Sequence, residues 1–480
     1  MPAAKPVSIR LMAYQVGFGD SFLLTFRYPR EERHVLIDFG TTHLPDGAPR
    51  AAAHMQQVAT DIAERCRGAP FAIVATHRHA DHISGFSTEK PKHAKRSSAG
   101  FRTSGDIIRA LSPRVVVQPW TEDPRLPTGA SGPRAARAVS NRGFRSLLGV
   151  MAKISEAAVR EGDTLRAALK SGSYHASVAR ELRFLGENNL SNASAVRNLM
   201  AMGRAGRAVY AYYGSRSGLE SFLPGVDVHV LGPPTVVQSS AVKSQRKTDP
   251  DEFWHLRNRL HAYWREQARM LVGANVAAAV RKPRAGARAG RGPFPSAPVF
   301  DPRAVPPELR WFRNRALVAR GEQLLELVRA MDDVLNNTSL ILLFRIGPLK
   351  LLFPGDAQIE NWSYALTGRD AKRNRELLGG VDLYKVGHHG SLNATPRTLW
   401  GLFEKKGPQK ALRTIVSTLE DVHGHEEKRT EVPRRTLVAA LRSNSTYFTT
   451  QSLRGELSRL VEIELTGNRP RFSAWKAIVP

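Results

Sequence analysis

Cysteine is almost absent: Cys66 is the only one among 480 residues. A lone thiol excludes intrachain disulfides and thiolate clusters, so any metal here would have to sit on His, Asp or Glu. Long apolar runs are missing as well. No stretch reaches the roughly 18 uncharged apolar residues of a membrane helix, and the longest block, Ser339 to Phe353, is interrupted by Arg345 and Lys350. Met1 to Arg10 lacks the apolar segment of a secretion signal. These absences lead to the expectation of a soluble, cytoplasmic protein without a membrane partner. Acidic residues are scarce too, 43 Asp and Glu against 71 Lys and Arg, for a formal net charge of +28. Such an excess suits polyanionic partners such as nucleic acid, although an arginine-rich genome produces the same bias.

What is present suffices for a core. Hydrophobic residues make up 42% of the chain, and its length allows two or three core-forming units or one domain with large insertions. Short strands are expected at Val7 to Ala13, Ser21 to Phe26 and His34 to Asp38, with a Val16-Gly17-Phe18-Gly19-Asp20 turn after the first. Ala51 to Arg65 reads as a helix, and Phe71 to Ala75 is a continuous apolar run of the buried-strand type. A helix near Gly105 to Leu111 and a strand at Val115 to Val117 follow.

Two stretches read as insertions. Residues 129–204 are rich in Ala and Arg with helical spacing. In residues 235–334, Phe253, Leu256, Leu260, Trp264 and Leu271 recur at helical intervals. Between and after them, strand signals occur at Val226 to Leu231, Ser339 to Arg345, Leu349 to Phe353, Asp382 to Val386, Arg413 to Thr418 and Leu460 to Leu465.

The strongest chemical signal is His77-x-His79-x-Asp81-His82 directly after a buried strand. Divalent metals of borderline softness take imidazole together with carboxylate, and a tight loop rooted in a strand can aim several such side chains into one cavity. Two later strand ends carry compatible groups: Asp356 after Leu351 to Phe353, and His388-His389 after Lys385-Val386-Gly387. Asp356 alone reads as a turn residue, and only the company of the other clusters makes it a candidate bridge between metals.

The order of these residues resembles the metallo-β-lactamase fold superfamily. More narrowly, Val16 to Ser21, Leu36-Ile37-Asp38-Phe39-Gly40, Asn336 to Leu340 and Lys385 to Ser391 look like the ComEC-like hydrolase domain. The resemblance implies an α/β fold, an αββα sandwich built from residues 1–128, 205–234 and 335–480, with the two mostly helical insertions interrupting it. It implies two divalent ions, zinc before manganese. His77 and His79 would hold one and Asp81 and His82 the other, with Asp356 between them, His388 closing the second site and His389 beside it as an alternative ligand or outer donor. Asp38 would orient the ligand loop by hydrogen bonds. The superfamily often has a further histidine where this chain has Asn336-Asn337-Thr338-Ser339, which weakens the case for the first ion; ComEC-like sequences share the asparagines. Asp20 is either another group of the same cavity or an ordinary turn carboxylate.

Such a metal pair lowers the pKa of a bound water and stabilises negative charge on an ester or phosphoryl oxygen, which is hydrolysis without a protein nucleophile. His425, by the same resemblance, would line the cleft and donate to a leaving group or phosphate. Arg281, Lys282, Arg284, Arg288 and Arg291 stand in an acid-free, Gly- and Pro-containing loop that suits phosphate contact. The expected function is a two-metal phosphodiesterase or nuclease acting on nucleic acid. The alternatives are a hydrolase of a small ester, lactone or nucleotide, and a catalytically weak nucleic-acid- or protein-binding module that keeps the fold.

Overall fold

The computed structural model describes residues 5–45, 47–48, 51–90, 102–126, 130, 132–133, 155–166, 178–183, 186, 193–240, 319, 321–325, 328, 335–391, 395–423, 431–453, 455–465 and 469–477. The chain separates into two compact units, Met1–Gly149 with Asn188–Gln245 and Asp332–Pro480, and Val150–Glu187 with Arg246–Met331.

The first unit is a mixed α/β structure with two mixed sheets. In the first sheet, β1 (Ser8–Tyr14), β2 (Ser21–Arg27) and β3 (Glu32–Phe39) run antiparallel; β4 (Phe71–Val74), β5 (Val115–Pro119) and β6 (Arg207–Ala211) then extend it in parallel. The second sheet opens with the antiparallel strands β7 (Asp227–Gly232), β8 (Ile341–Ile346) and β9 (Leu349–Phe353) and continues in parallel through β10 (Leu383–Lys385), β11 (Arg413–Val416) and β12 (Thr446–Thr449). The chain then returns to the first sheet, where β13 (Ser458–Glu464) pairs with β1 and is flanked by β14 (Arg471–Phe472) and β15 (Lys476–Ala477).

Period-two alternation explains why these strands read as nearly continuous apolar runs. Ile9, Leu11 and Ala13 of β1 and Ala72 and Val74 of β4 enter one core with Leu342, Phe344, Leu351 and Phe353 of the second sheet. Their neighbours Met12, Tyr14, Phe71 and Ile73 pack instead with α1 (Ala51–Cys66), Ile108 of α3 (Ser104–Ala110) and the Ala195, Leu199 and Met202 face of α4 (Ala193–Ala205). The short α2 (Ala80–Ile83) lies between, at the end of β4. On the second sheet, Leu343, Leu352 and Tyr384 pack with α5 (Ile359–Thr367), α6 (Ala371–Gly379), α7 (Arg397–Leu402) and α8 (Arg435–Asn444). Each fully buried Leu or Phe in these cores stabilises the fold by about 1.5–3 kcal/mol.

The boundaries of the expected insertions shift. Helix α4, expected inside the 129–204 insertion, belongs to the first unit because its apolar face covers the first sheet. The second unit draws on both stretches: Ala158, Leu165, Val178, Ala179 and Leu182 share one core with Leu324, Leu325 and Val328. Helices α5, α6 and α7 are not marked by sequence periodicity. Their few apolar residues, such as Trp362, Leu377 and Leu399, suffice because one narrow face is buried.

Candidate metal centre

In a mixed α/β sheet the chemistry-bearing loops leave the carboxyl ends of the parallel strands, where side chains from several strands converge. Here those ends belong to β3 and β4 in one sheet and β9, β10 and β11 in the other. Asp38 lies in β3 at φ 56°, a left-handed conformation that costs a non-glycine residue on the order of 1–2 kcal/mol. That turn aims its carboxylate across to the next loop, where Oδ1 accepts the Thr76 N–H at 2.7 Å and Oδ2 accepts the Thr76 hydroxyl at 2.7 Å. Oδ2 also meets His82 Nδ1 at 2.8 Å. Asp38 thus fixes the root of the His77–His82 loop and the orientation of one imidazole.

Two glycines permit the loop to close. A Cβ on Gly19 would stand 2.3 Å from the Gly40 carbonyl oxygen, and one on Gly40 would stand 2.5 Å from the His82 nitrogen. With both absent, the turn and the end of β3 clasp the Asp81–His82 backbone, and the Asp20 N–H donates to the Asp81 carbonyl at 2.9 Å.

Asp81, His82, Asp356 and His389 each bring one ligand atom to within 4.8 Å of the others, and none is more than 3% exposed. His82 Nε2 lies 3.1 Å from Asp356 Oδ2, and His389 Nε2 lies 3.0 Å from Asp81 Oδ2 and 3.6 Å from Asp356 Oδ2. The far nitrogen of each ring is engaged by an acceptor: His82 Nδ1 by Asp38, and His389 Nδ1 by the Ser417 carbonyl at 2.9 Å. An imidazole held this way presents Nε2 to a metal in a fixed tautomer. Asp20, Asp38 and His82 form a second such group.

The electrostatics fit a cation. Burial alone would raise the Asp81 and Asp356 carboxyls, yet both are held well below the usual carboxylate range, Asp81 chiefly by the hydrogen bond from His389 and Asp356 by the charge of His82. Burial works against charge on His82 and His389 as well, but the Asp356 carboxylate and its neighbours raise both. In the protein alone, then, protonated imidazoles balance the buried carboxylates, and a divalent ion would take their place. His77 and His79 differ: burial and, after it, the charge of His82 lower His77 well below the ordinary imidazole value, and burial lowers His79 to about 4, so both are neutral and ligand-competent. The buried Nε2 of His77 has no hydrogen-bond partner.

Among the expected ligands the structure assembles Asp81, His82 and Asp356, with Asp38 supporting them rather than facing a substrate. His77 and His79 stack edge to face at 4.6 Å beside His82 but belong to no group of three or more potential ligands among the described residues. The expected order of the histidine pair is reversed. His389, at φ 52°, closes the four-residue group, whereas His388, at φ 42°, turns toward Asn336 and Ser391. Two successive left-handed residues throw adjacent rings to different sides, a backbone detail invisible in a His-His dipeptide.

Sequence reasoning missed Lys385. Its buried ammonium pairs with Asp20 and stands 3.9 Å from Asp356 Oδ1; burial opposes its charge, but the Asp20 and Asp356 carboxylates keep it protonated. The available signal was a lysine inside the otherwise apolar strand end Leu383-Tyr384-Lys385-Val386. The pairing also shows Asp20 to be part of this buried charge group. His425 and the basic residues Arg281, Lys282, Arg284, Arg288 and Arg291 lie outside the described residues.

In comparison with known proteins, no family model matches the chain. No curated protein matches it significantly either. Among the described residues no helix is long and apolar enough to cross a membrane.

Proposed function

We propose that the protein is a metal-dependent hydrolase of the metallo-β-lactamase type, most similar in its motifs to ComEC-like domains, acting as a phosphodiesterase or nuclease on nucleic acid. The observation that carries this reading is the buried meeting of Asp81 and His82 from one sheet with Asp356 and His389 from the other. The shared core between two helix-flanked sheets supports an αββα sandwich. Zinc, or manganese in its place, would be held by Asp81, His82, Asp356 and His389, with His77 and His79 available to a second ion. When bound, such ions supply Lewis acidity and an activated water at neutral pH. The protein's own part is orientation: Asp38 and Ser417 set the imidazole tautomers, and Lys385 offsets the charge of Asp20 beside Asp356. Ser339 donates no nucleophile; its hydroxyl accepts the Asp356 N–H at 3.2 Å. The net charge of +28 favours a polyanionic substrate.

Purified protein incubated with zinc or manganese and labelled single- and double-stranded DNA tests this, beside a variant carrying Asp81→Ala and His82→Ala. Metal-dependent cutting by the wild type that the variant lacks supports it. Cutting that survives the double substitution rejects the site, and hydrolysis of bis-p-nitrophenyl phosphate without polymer cleavage points to a small substrate.

A further inference from the structure

Asp20 and Lys385 come from different sheets and meet beside the four-residue group. Asp20 directly precedes β2 and Lys385 ends β10; each is 1% exposed, and the two form a buried ion pair. The backbone of Asp20 is pinned, its N–H donating to the Asp81 carbonyl at 2.9 Å and its carbonyl accepting the Gly40 N–H at 3.1 Å, so the carboxylate can move only by side-chain rotation. That carboxylate stands before the outer nitrogens of both rings of the group. Oδ2 lies 3.7 Å from His82 Nδ1 and Oδ1 lies 3.7 Å from His389 Nδ1, just beyond hydrogen-bond length. Oδ1 has no hydrogen-bond partner of its own. Both nitrogens are engaged elsewhere, His82 Nδ1 by Asp38 at 2.8 Å and His389 Nδ1 by the Ser417 carbonyl at 2.9 Å. A charge-assisted hydrogen bond is about twice as strong as a neutral one, so an unrestrained Asp20 would compete well with the Ser417 carbonyl for His389.

We infer that Lys385 is a positioning residue: by holding the Asp20 carboxylate in an ion pair, it leaves His82 to Asp38 and His389 to Ser417, so that both Nε2 atoms keep their aim at Asp356 and Asp81. The inference rests on the metal-dependent reading above and adds what fixes the ligand geometry. Its consequence runs against simple charge. An ammonium 3.9 Å from Asp356 Oδ1 repels a divalent ion bound to that carboxylate, so its removal would tighten binding if charge were all that it supplied. If restraint of Asp20 is what it supplies, its removal weakens binding.

Zinc affinity of the full chain, measured by chelator competition, decides between these signs with no need for activity. Lys385→Met is expected to lower the affinity about 10–100-fold, the range for loss of an outer partner. Asp20→Asn added to that variant is expected to bring it back to within about threefold of wild type, because the released carboxylate is gone and a neutral pair replaces a buried ion pair at little cost. Should Lys385→Met not fold, Lys385→Gln takes its place: its shorter amide holds Asp20 less firmly, and a smaller loss with the same recovery is expected. Unchanged or tighter binding by the single variant, or a double variant that binds no better than the single, overturns the inference while leaving the metal-dependent reading in place. A wild type that binds no zinc overturns both.

Discussion

At the carboxyl ends of β3 and β4, Asp38, His77, His79, Asp81 and His82 are at most 3% exposed. At the opposite ends of β4 and β5 the charges stand in water: Arg67, Arg102 and Arg114 line an open groove of about 530 Å³ between the ends of α1 and α3. The same sheet therefore carries titratable groups in two contrasting ways. Solvated arginines cost the fold little and need no explanation beyond solubility. Buried carboxylates and imidazoles cost several kcal/mol each unless neighbours compensate them, so their convergence at one end calls for a functional reason. This groove is thus not where the buried carboxylates and imidazoles converge.

Histidines sharpen this contrast. His82 and His389 at the site end are pushed up by carboxylates, whereas His34, at the groove end of β3, is pushed down to about 4 by burial, with the Thr25 hydroxyl at 2.9 Å as its side-chain partner.

The largest effect is expected from Asp356→Asn. It removes the carboxylate shared by both imidazoles, and zinc affinity measured by chelator competition should fall more than about a hundredfold, since loss of an outer partner alone costs roughly 10–100-fold. An unchanged affinity would place any ion elsewhere. Next comes acid stability. Because the folded His34 pKa is about 4, below the roughly 6.5 of an unfolded chain, its contribution is fully present above pH 6.5 and disappears as pH falls toward 4. The span of 2.5 pH units amounts to about 3 kcal/mol at most. Denaturant midpoints between pH 7 and 4 should therefore fall less steeply in His34→Gln than in wild type. Parallel curves would show that His34 is not the group protonated.

Asp38→Asn should weaken metal binding by about 10–100-fold, less than Asp356→Asn, because it only orients His82 and the Thr76 backbone. Equal losses in the two variants would erase the distinction between ligand and support. Arg67→Ala with Arg114→Ala marks the other end of the scale. Metal affinity should not change, and thermal stability should stay within about 0.5 kcal/mol, as for surface substitutions generally. A loss of bound metal in that variant would break the contrast between the two ends.

Much of this arrangement is legible in the sequence because it depends on strand ends. The apolar run Phe71 to Ala75 and the ligand types after it mark His77 to His82 as a rigidly rooted cluster, and the same pattern marks Asp356 and the His388-His389 pair. What could not be read depends on backbone direction and long-range pairing. The choice between His388 and His389 is set by two positive φ angles, and the role of Lys385 by its partner Asp20 some 365 positions earlier in the chain. Helices α5 to α7 escaped notice because their polar faces outweigh a single buried stripe. The grouping of 150–187 with 246–331 is a tertiary event with no local signature.

The central claim is that side chains from two sheets enclose a divalent ion. Anomalous diffraction from a crystal grown with zinc or manganese addresses it most directly. The account predicts a peak about 2.0–2.3 Å from His82 Nε2, His389 Nε2 and oxygens of Asp81 and Asp356. A metal-loaded crystal with no peak among these four residues would contradict it.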